Sequence, residues 1–176
     1  MQPLNVLIAG AGIGGLTTAL ALQRAGIRVS IYEQAHTLTE VGAGLTLASN
    51  ATLILKALGL GSVLEDLGVV PERGAVKHYR TGRTLVDIPR GATQVERFGT
   101  AYCQMLRSDL HEALTAAVRS ADRGCLHLGC TLQDFGQDET GVTALFANGV
   151  TARGDVLIGA DGIRSTVRAQ LFGSED

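Results

Sequence analysis

Gly10, Gly12 and Gly15 fall in the run Gly10-Ala11-Gly12-Ile13-Gly14-Gly15, directly after the apolar stretch Val6-Leu7-Ile8-Ala9. Glu33 closes a second apolar stretch, Val29-Ser30-Ile31-Tyr32. Glycines at this spacing after a strand do the chemistry of pyrophosphate binding. Gly10 permits a tight turn, Gly12 lets the backbone approach the phosphates without a Cβ in the way, and Gly15 lets the following helix pack closely on its strand. Ile13 and Gly14 lie at the start of that helix, whose free N–H groups and partial positive charge face the phosphates. Glu33 lies close to the roughly 20-residue spacing at which an acid accepts hydrogen bonds from ribose hydroxyls. Its charge disfavours a 2′-phosphate there. A glycine run alone would serve equally as a turn that binds nothing. The ordered set of strand, glycine turn, helix, second strand and terminal acid favours a dinucleotide.

The remaining chemistry-bearing residues are scattered. None of His36, His78, His111 and His127 has a paired carboxylate beside it in the sequence, and His111 is expected on the polar face of its helix. Tyr79 and Tyr102 are expected to pack within sheet or core. No Ser-His-Asp order, P-loop or metal-ligand spacing occurs, so no catalytic residue and no metal site is assigned. Cys103, Cys125 and Cys130 are odd in number and not closely paired, which argues against a disulfide framework or a zinc site. Reduced thiols in a cytoplasmic protein fit best.

The elements that must position the glycines and the acid belong to a folded α/β chain. Of 176 residues, 45% are hydrophobic and 18% charged, with a formal net charge of −2. No basic block points to nucleic acid. The apolar run from Val6 to Leu22 is broken by glycines and has no basic segment before it, so it is expected to be a strand and a buried helix rather than a signal peptide or membrane span. Strands are expected at 4–9, 28–33, 101–106, 125–135, 142–147, 150–153 and 155–158. Helices are expected at 14–25, from Ser49 or Asn50 to about Leu58, at 108–121 and at about 163–171. Leu110, Ala113, Leu114, Ala117, Val118 and Ala121 form the apolar face of the third helix, with Ser108 or Asp109 as its cap. Asn148-Gly149 is a hairpin turn. Val76 to Arg80 and Thr84 to Ile88 read as two strands of a sheet with one wet face, an antiparallel excursion spanning 74–99. Residues 1–73 and 100–176 are expected to form one discontinuous domain.

A hydrophobic strand enters a glycine turn that opens a helix twice in this chain, at 6–15 and again at 155–162. If the two strands lie side by side in one parallel sheet, both turns emerge at the carboxyl edge where ligands bind in open α/β sheets. Four segments in order, G-A-G-I-G-G at 10–15 with Glu33, V-G-A-G at 41–44, L-R-S-D-L at 106–110 and D-V-L-I-G-A-D-G-I-R-S-T-V-R at 155–168, resemble those of the FAD-dependent aromatic-ring hydroxylases, the single-component flavoprotein monooxygenases. The resemblance implies a Rossmann-like FAD-binding fold with a parallel sheet, helices on it and an inserted antiparallel excursion. It also implies that Gly10, Gly12 and Gly15 hold the FAD pyrophosphate, with Glu33 on the adenosine ribose and Gln34 beside it. Gly42, Ala43 and Gly44 would lie along the flavin side. Arg107 would reach the cofactor from the start of its helix, Leu132 would lie near the adenine, and Asp161 and Gly162 would serve FAD and the nicotinamide donor. The implied reaction uses NADH or NADPH and O2 to hydroxylate a small aromatic substrate. Thr46 stands where some relatives acting on nitrogen heterocycles carry histidine, which weakens that substrate group. The family continues well past residue 176, so the chain is expected to be an N-terminal portion, or one part of a split enzyme, that lacks a C-terminal polypeptide. The competing readings are a flavoprotein reductase or oxidase and a non-catalytic dinucleotide-binding module. Substrate identity, the choice of nicotinamide donor and the oligomeric state stay open.

Overall fold

The computed structural model describes residues 4–38 and 43–173. In chain order the elements are β1 (Asn5–Ala9), α1 (Ile13–Arg24), β2 (Arg28–Glu33), β3 (Gly44–Leu47), α2 (Ser49–Ala57), α3 (Gly61–Leu67), β4 (Arg73–Lys77) and β5 (Thr84–Pro89). They continue with α4 (Ala92–Phe98), β6 (Cys103–Leu106), α5 (Arg107–Ala121), β7 (Leu126–Leu128), β8 (Leu132–Asp138), β9 (Gly141–Phe146), β10 (Thr151–Gly154), β11 (Val156–Gly159) and α6 (Thr166–Phe172). They group into two compact units, Met1–Thr39 with His111–Asp176, and Glu40–Leu110.

The first unit is built on a four-stranded sheet in the order β11-β1-β2-β7, parallel at every pairing. The two strand–glycine-turn–helix segments therefore lie side by side, with Val6 opposite Val156 and Ala9 opposite Gly159. β1 is covered on both faces, which is why Val6 to Ala9 are apolar without alternation. A second sheet, β10-β9-β8, is antiparallel and turns through Asn148-Gly149 as the sequence predicts. Leu7, Tyr32, Leu132, Val142, Ala144, Phe146 and Val167 pack into one core.

Several expectations need correcting. The stretch 125–135 is not one strand. It breaks at Gly129, whose φ of 66° is left-handed backbone suited to glycine, and β7 and β8 enter different sheets. β11, the last strand expected, is half-exposed, because it forms an edge of its sheet. α1 buries only the stripe Gly15, Leu16, Ala19 and Leu20, since a helix lying on a sheet covers one face. α6 starts at Thr166, later than expected, and Ser165 is its N-cap, accepting from the Arg168 N–H. α5 begins at Arg107, so Ser108 and Asp109 sit inside its first turn instead of capping it. α2 follows Ala48 without a side-chain cap, and the Ser49 hydroxyl instead donates to the Thr100 carbonyl.

The second unit holds two small antiparallel sheets, β3-β6 and β4-β5. The β4–β5 ladder falls where two strands were expected at 76–80 and 84–88, but it is exposed on both faces rather than one, and residues 92–98 of the expected excursion form α4. α3 and α4 were not expected. Both are only seven residues long, and at α3 the spacing of Leu60, Val63, Leu64 and Leu67 was a helical signal that was passed over.

Candidate functional site

The carboxyl edge of the parallel sheet carries a cleft of about 330 Å3. Its lining includes Gly10 and Gly12 after β1, Glu33 and Gln34 after β2, Leu132, and Asp161 and Gly162 after β11. Residues far apart in the chain thus meet where the sequence placed a ligand.

The glycines of the turn do separate jobs. A Cβ on Gly10 would run into the backbone of Ala160, and φ there is 101°. A Cβ on Gly15 would run into the Gly10 carbonyl. Both positions are therefore set by close packing of turn, helix and the neighbouring β11 turn. Gly12 differs: a Cβ built there meets no protein atom within 4 Å, so it would project into open space beside the cleft. Gly12 is also the N-cap of α1. The first-turn amides of a helix have no intrahelical acceptor, and with the helix dipole they favour an anion in that space. Ile13 and Gly14 belong to this first turn, outside the cleft lining.

The Glu33 carboxylate is fixed rather than loose. Its Oε2 accepts the Ala11 N–H at 2.7 Å and its Oε1 accepts the Ala35 N–H at 2.9 Å. Each carboxylate oxygen has a second lone pair, so the group can still accept from sugar hydroxyls. Tyr32, beside it, stacks between His127 and Phe146 with ring centroids 4.7 and 4.4 Å away. Burial pushes its phenol above the ordinary value, so Tyr32 is neutral near pH 7.

Asp161 ties the β11 turn to α6. Its Oδ2 accepts the N–H groups of Thr166 at 2.7 Å and Val167 at 3.2 Å, and its Oδ1 accepts the Ser165 hydroxyl at 2.6 Å. The carboxylate thus serves the helix start while its residue lines the cleft.

The other expected residues belong to the second unit. The Arg107 N–H donates to the Ala43 carbonyl at 3.0 Å, which brings these two together. Gly44 opens β3 and lines a separate cavity of about 580 Å3 with Leu45, Thr46, Met105, Leu106 and Asp109. Gly42 lies outside the described residues.

His111 is the residue the sequence misplaces. It is 5% exposed, not on a polar face, and its Nε2 lies 2.8 Å from the Ala11 carbonyl. The buried stripe of α5 is Leu110, His111, Leu114, Thr115 and Val118, rotated away from Ala121, which is exposed. The signal was available: His111 is three residues before Leu114 and seven before Val118, on the same face. Tyr32, Cys130, Thr131, Arg164 and Thr166 also line the cleft without having been singled out for it.

Among the described residues no group of three His, Cys, Asp or Glu side chains is placed to hold a metal, and no helix is long and apolar enough to cross a membrane. The three cysteines are free and buried.

Residues 3–174 match the family described as FAD binding domain, and the chain belongs to that family. It is 32% identical over 174 residues to 6-hydroxynicotinate 3-monooxygenase of Pseudomonas fluorescens, covering 99% of this chain and 44% of that protein. It is 37% identical over 172 residues to 3-hydroxybenzoate 6-hydroxylase 1 of Aquipseudomonas alcaligenes, covering 98% and 44%. Klebsiella pneumoniae HpxO, solved in complex with FAD and uric acid, superimposes with a TM-score of 0.84 at 30% identity over 95% of this chain and 41% of that one. The chain therefore spans less than half the length of the curated relatives it matches.

Proposed function

We propose that this chain is the FAD-binding portion of a flavin-dependent monooxygenase that uses NADH or NADPH and O2 to hydroxylate a small aromatic substrate. The observation that carries the FAD part is the open space beside Gly12, in a cleft whose wall is also formed by Glu33. A pyrophosphate fits where a Cβ would otherwise project. Gly12 and the start of α1 would hold the phosphates, Glu33 the adenosine ribose with Gln34 beside it, and the Leu132 wall the adenine. Ala43, Gly44 and Arg107, with Gly42, would serve the flavin side. Asp161 and Gly162 would complete the phosphate end of the cleft. Functionally, 1–73 and 100–176 would make the cofactor-binding part, and 74–99 would reach toward the substrate.

When bound, FAD supplies electron transfer from the nicotinamide and the activation of dioxygen. The chain's own residues bind and orient it. Glycine backbone and helix N-terminus neutralise phosphate charge without side chains that must be ordered first. Free thiols suit a reducing cytoplasmic setting.

The test has two stages. FAD titration read by flavin fluorescence should show saturable binding, whereas binding of NADH without FAD would favour a non-catalytic module. In the full-length protein, aromatic acids should stimulate NAD(P)H oxidation and yield hydroxylated product. Oxidation with no hydroxylated product from any of them would favour a reductase or oxidase instead.

A further inference from the structure

His111 reaches Ala11, which stands between Gly10 and Gly12 in the glycine turn. Ala11 is 1% exposed, and both its backbone polar groups are taken. Its N–H donates to Glu33 Oε2 at 2.7 Å, and its carbonyl lies 2.8 Å from His111 Nε2. A carbonyl can only accept, so Nε2 carries the proton. The described chain contains no cis peptide, and in a trans peptide the C=O and N–H point in opposite directions. A bond that holds the Ala11 carbonyl therefore fixes the direction of the Gly12 N–H on the same peptide plane. Of its two neighbours, Gly10 is held by close packing against Ala160, and Gly12 keeps the wide backbone freedom of a glycine. Without a fixed point the turn would sample other orientations, and binding would carry the cost of ordering it.

Resting on the FAD reading above, we infer that His111 is a positioning residue for the phosphates: it clamps the Ala11–Gly12 peptide from one side while Glu33 clamps the Ala11 N–H from the other. His111 acts through Ala11 and makes no contact of its own with the cofactor. The clamp concerns the pyrophosphate and leaves adenine recognition to other walls of the cleft.

The experiment measures FAD, ADP and adenosine affinities of the intact protein and of His111→Leu, His111→Gln and His111→Asn. Leucine removes the donor, glutamine keeps an N–H at nearly the reach of Nε2, and asparagine carries the same amide about one bond short. Loss of one net hydrogen bond corresponds to about a three- to tenfold change. His111→Leu and His111→Asn should weaken FAD and ADP by about that factor, leave adenosine within about twofold, and be rescued by His111→Gln. A purely structural role would lower all three affinities together. Equal FAD affinity in wild type and His111→Leu, or a glutamine variant as weak as asparagine, overturns the clamp while leaving FAD binding intact. If the leucine variant does not fold, the glutamine–asparagine pair decides alone. A wild type that binds neither FAD nor ADP overturns the cofactor reading and the clamp with it.

Discussion

At the scale of single residues, the glycines divide into those that hold the fold and those that leave room for a ligand, and substitution separates the two. Gly12→Val adds a side chain where no protein atom stands within 4 Å, so the variant should fold with a melting temperature near that of wild type. The same side chain fills the space expected for the pyrophosphate, so FAD retention should be lost. Gly10→Ala should do the reverse of the first effect. Its Cβ meets the Ala160 backbone from a φ of 101°, and the strain should destabilise the protein by more than about 2 kcal/mol in urea unfolding. A Gly12→Val protein that purifies yellow, or a Gly10→Ala protein as stable as wild type, would contradict this division. The turn itself was legible in the sequence because it depends on backbone alone and on spacing along one strand–turn–helix segment. His111 was not legible in the same way. Its place on the buried stripe with Leu114 and Val118 could be read from the spacing, but its contact with the Ala11 carbonyl, a hundred residues away, could not.

At the scale of elements, β8, β9 and β10 are joined by one exposed polar cluster as well as by their ladder. Arg153 on β10 donates to the Thr143 hydroxyl on β9 at 2.8 Å, to both Asp138 oxygens on β8 at 2.8 and 3.0 Å, and to Thr140 in the connecting turn. The Arg153 guanidinium beside it holds the Asp138 carboxyl well below the usual carboxylate range, with Thr140 adding to the effect. A carboxyl more acidic in the folded than in the unfolded chain stabilises the fold above its unfolded value, and that contribution is lost as pH falls through the folded value. The wild-type advantage over Asp138→Asn in urea midpoint should therefore be constant from pH 6 to 9 and shrink below about pH 4. Because the pair is exposed, the advantage should be small and should weaken in 1 M salt. An advantage that grows on acidification would contradict the assignment. The helix starts offer a second check. Asp161→Ala removes the acceptor of two first-turn amides of α6, and losing such charge-assisted hydrogen bonds costs about 1–3 kcal/mol, so thermal unfolding should move down by a few degrees. Element type and order were legible where a continuous apolar run was bounded by glycines, as in β1, or where apolar spacing was helical, as in α5. Boundaries were not, because they depend on partners. β7 and β8 separate where Cys130 N–H bonds to the Glu33 carbonyl, a contact that no local pattern announces.

At the scale of the whole molecule, burial is distributed unevenly, and that distribution predicts where the chain opens first. β1 has a strand on each side and packs Leu7 and Ile8 with no more than 1% exposure. The β4–β5 pair has no third strand, and Val76, Leu85 and Val86 are about half-exposed. A two-stranded ladder without a covered face is marginal by itself, and opening free energies within one protein range from near zero to the global value. The parallel neighbourhood of β1 and β11 was foreseeable because the same strand–turn–helix device occurs twice. The thin coverage of β4 and β5 was not, since their alternating pattern is that of a strand with one buried face. Amide hydrogen exchange reads the difference directly. The amides of Leu7 and Ile8 should exchange slowest and those of β4 and β5 fastest. Saturating FAD should then slow exchange in the 10–15 turn and β1 more than in the β4–β5 pair, because a ligand held at a hundred times its Kd adds about 2.7 kcal/mol to whatever opening must release it. Openings confined to β4 and β5 release nothing and should keep their rates. Equal protection of β1 and β5 without ligand would mean one cooperative unit. Protection by FAD that appears in β4 and β5 but not around Gly12 would mean that the cofactor is held somewhere other than the glycine turn.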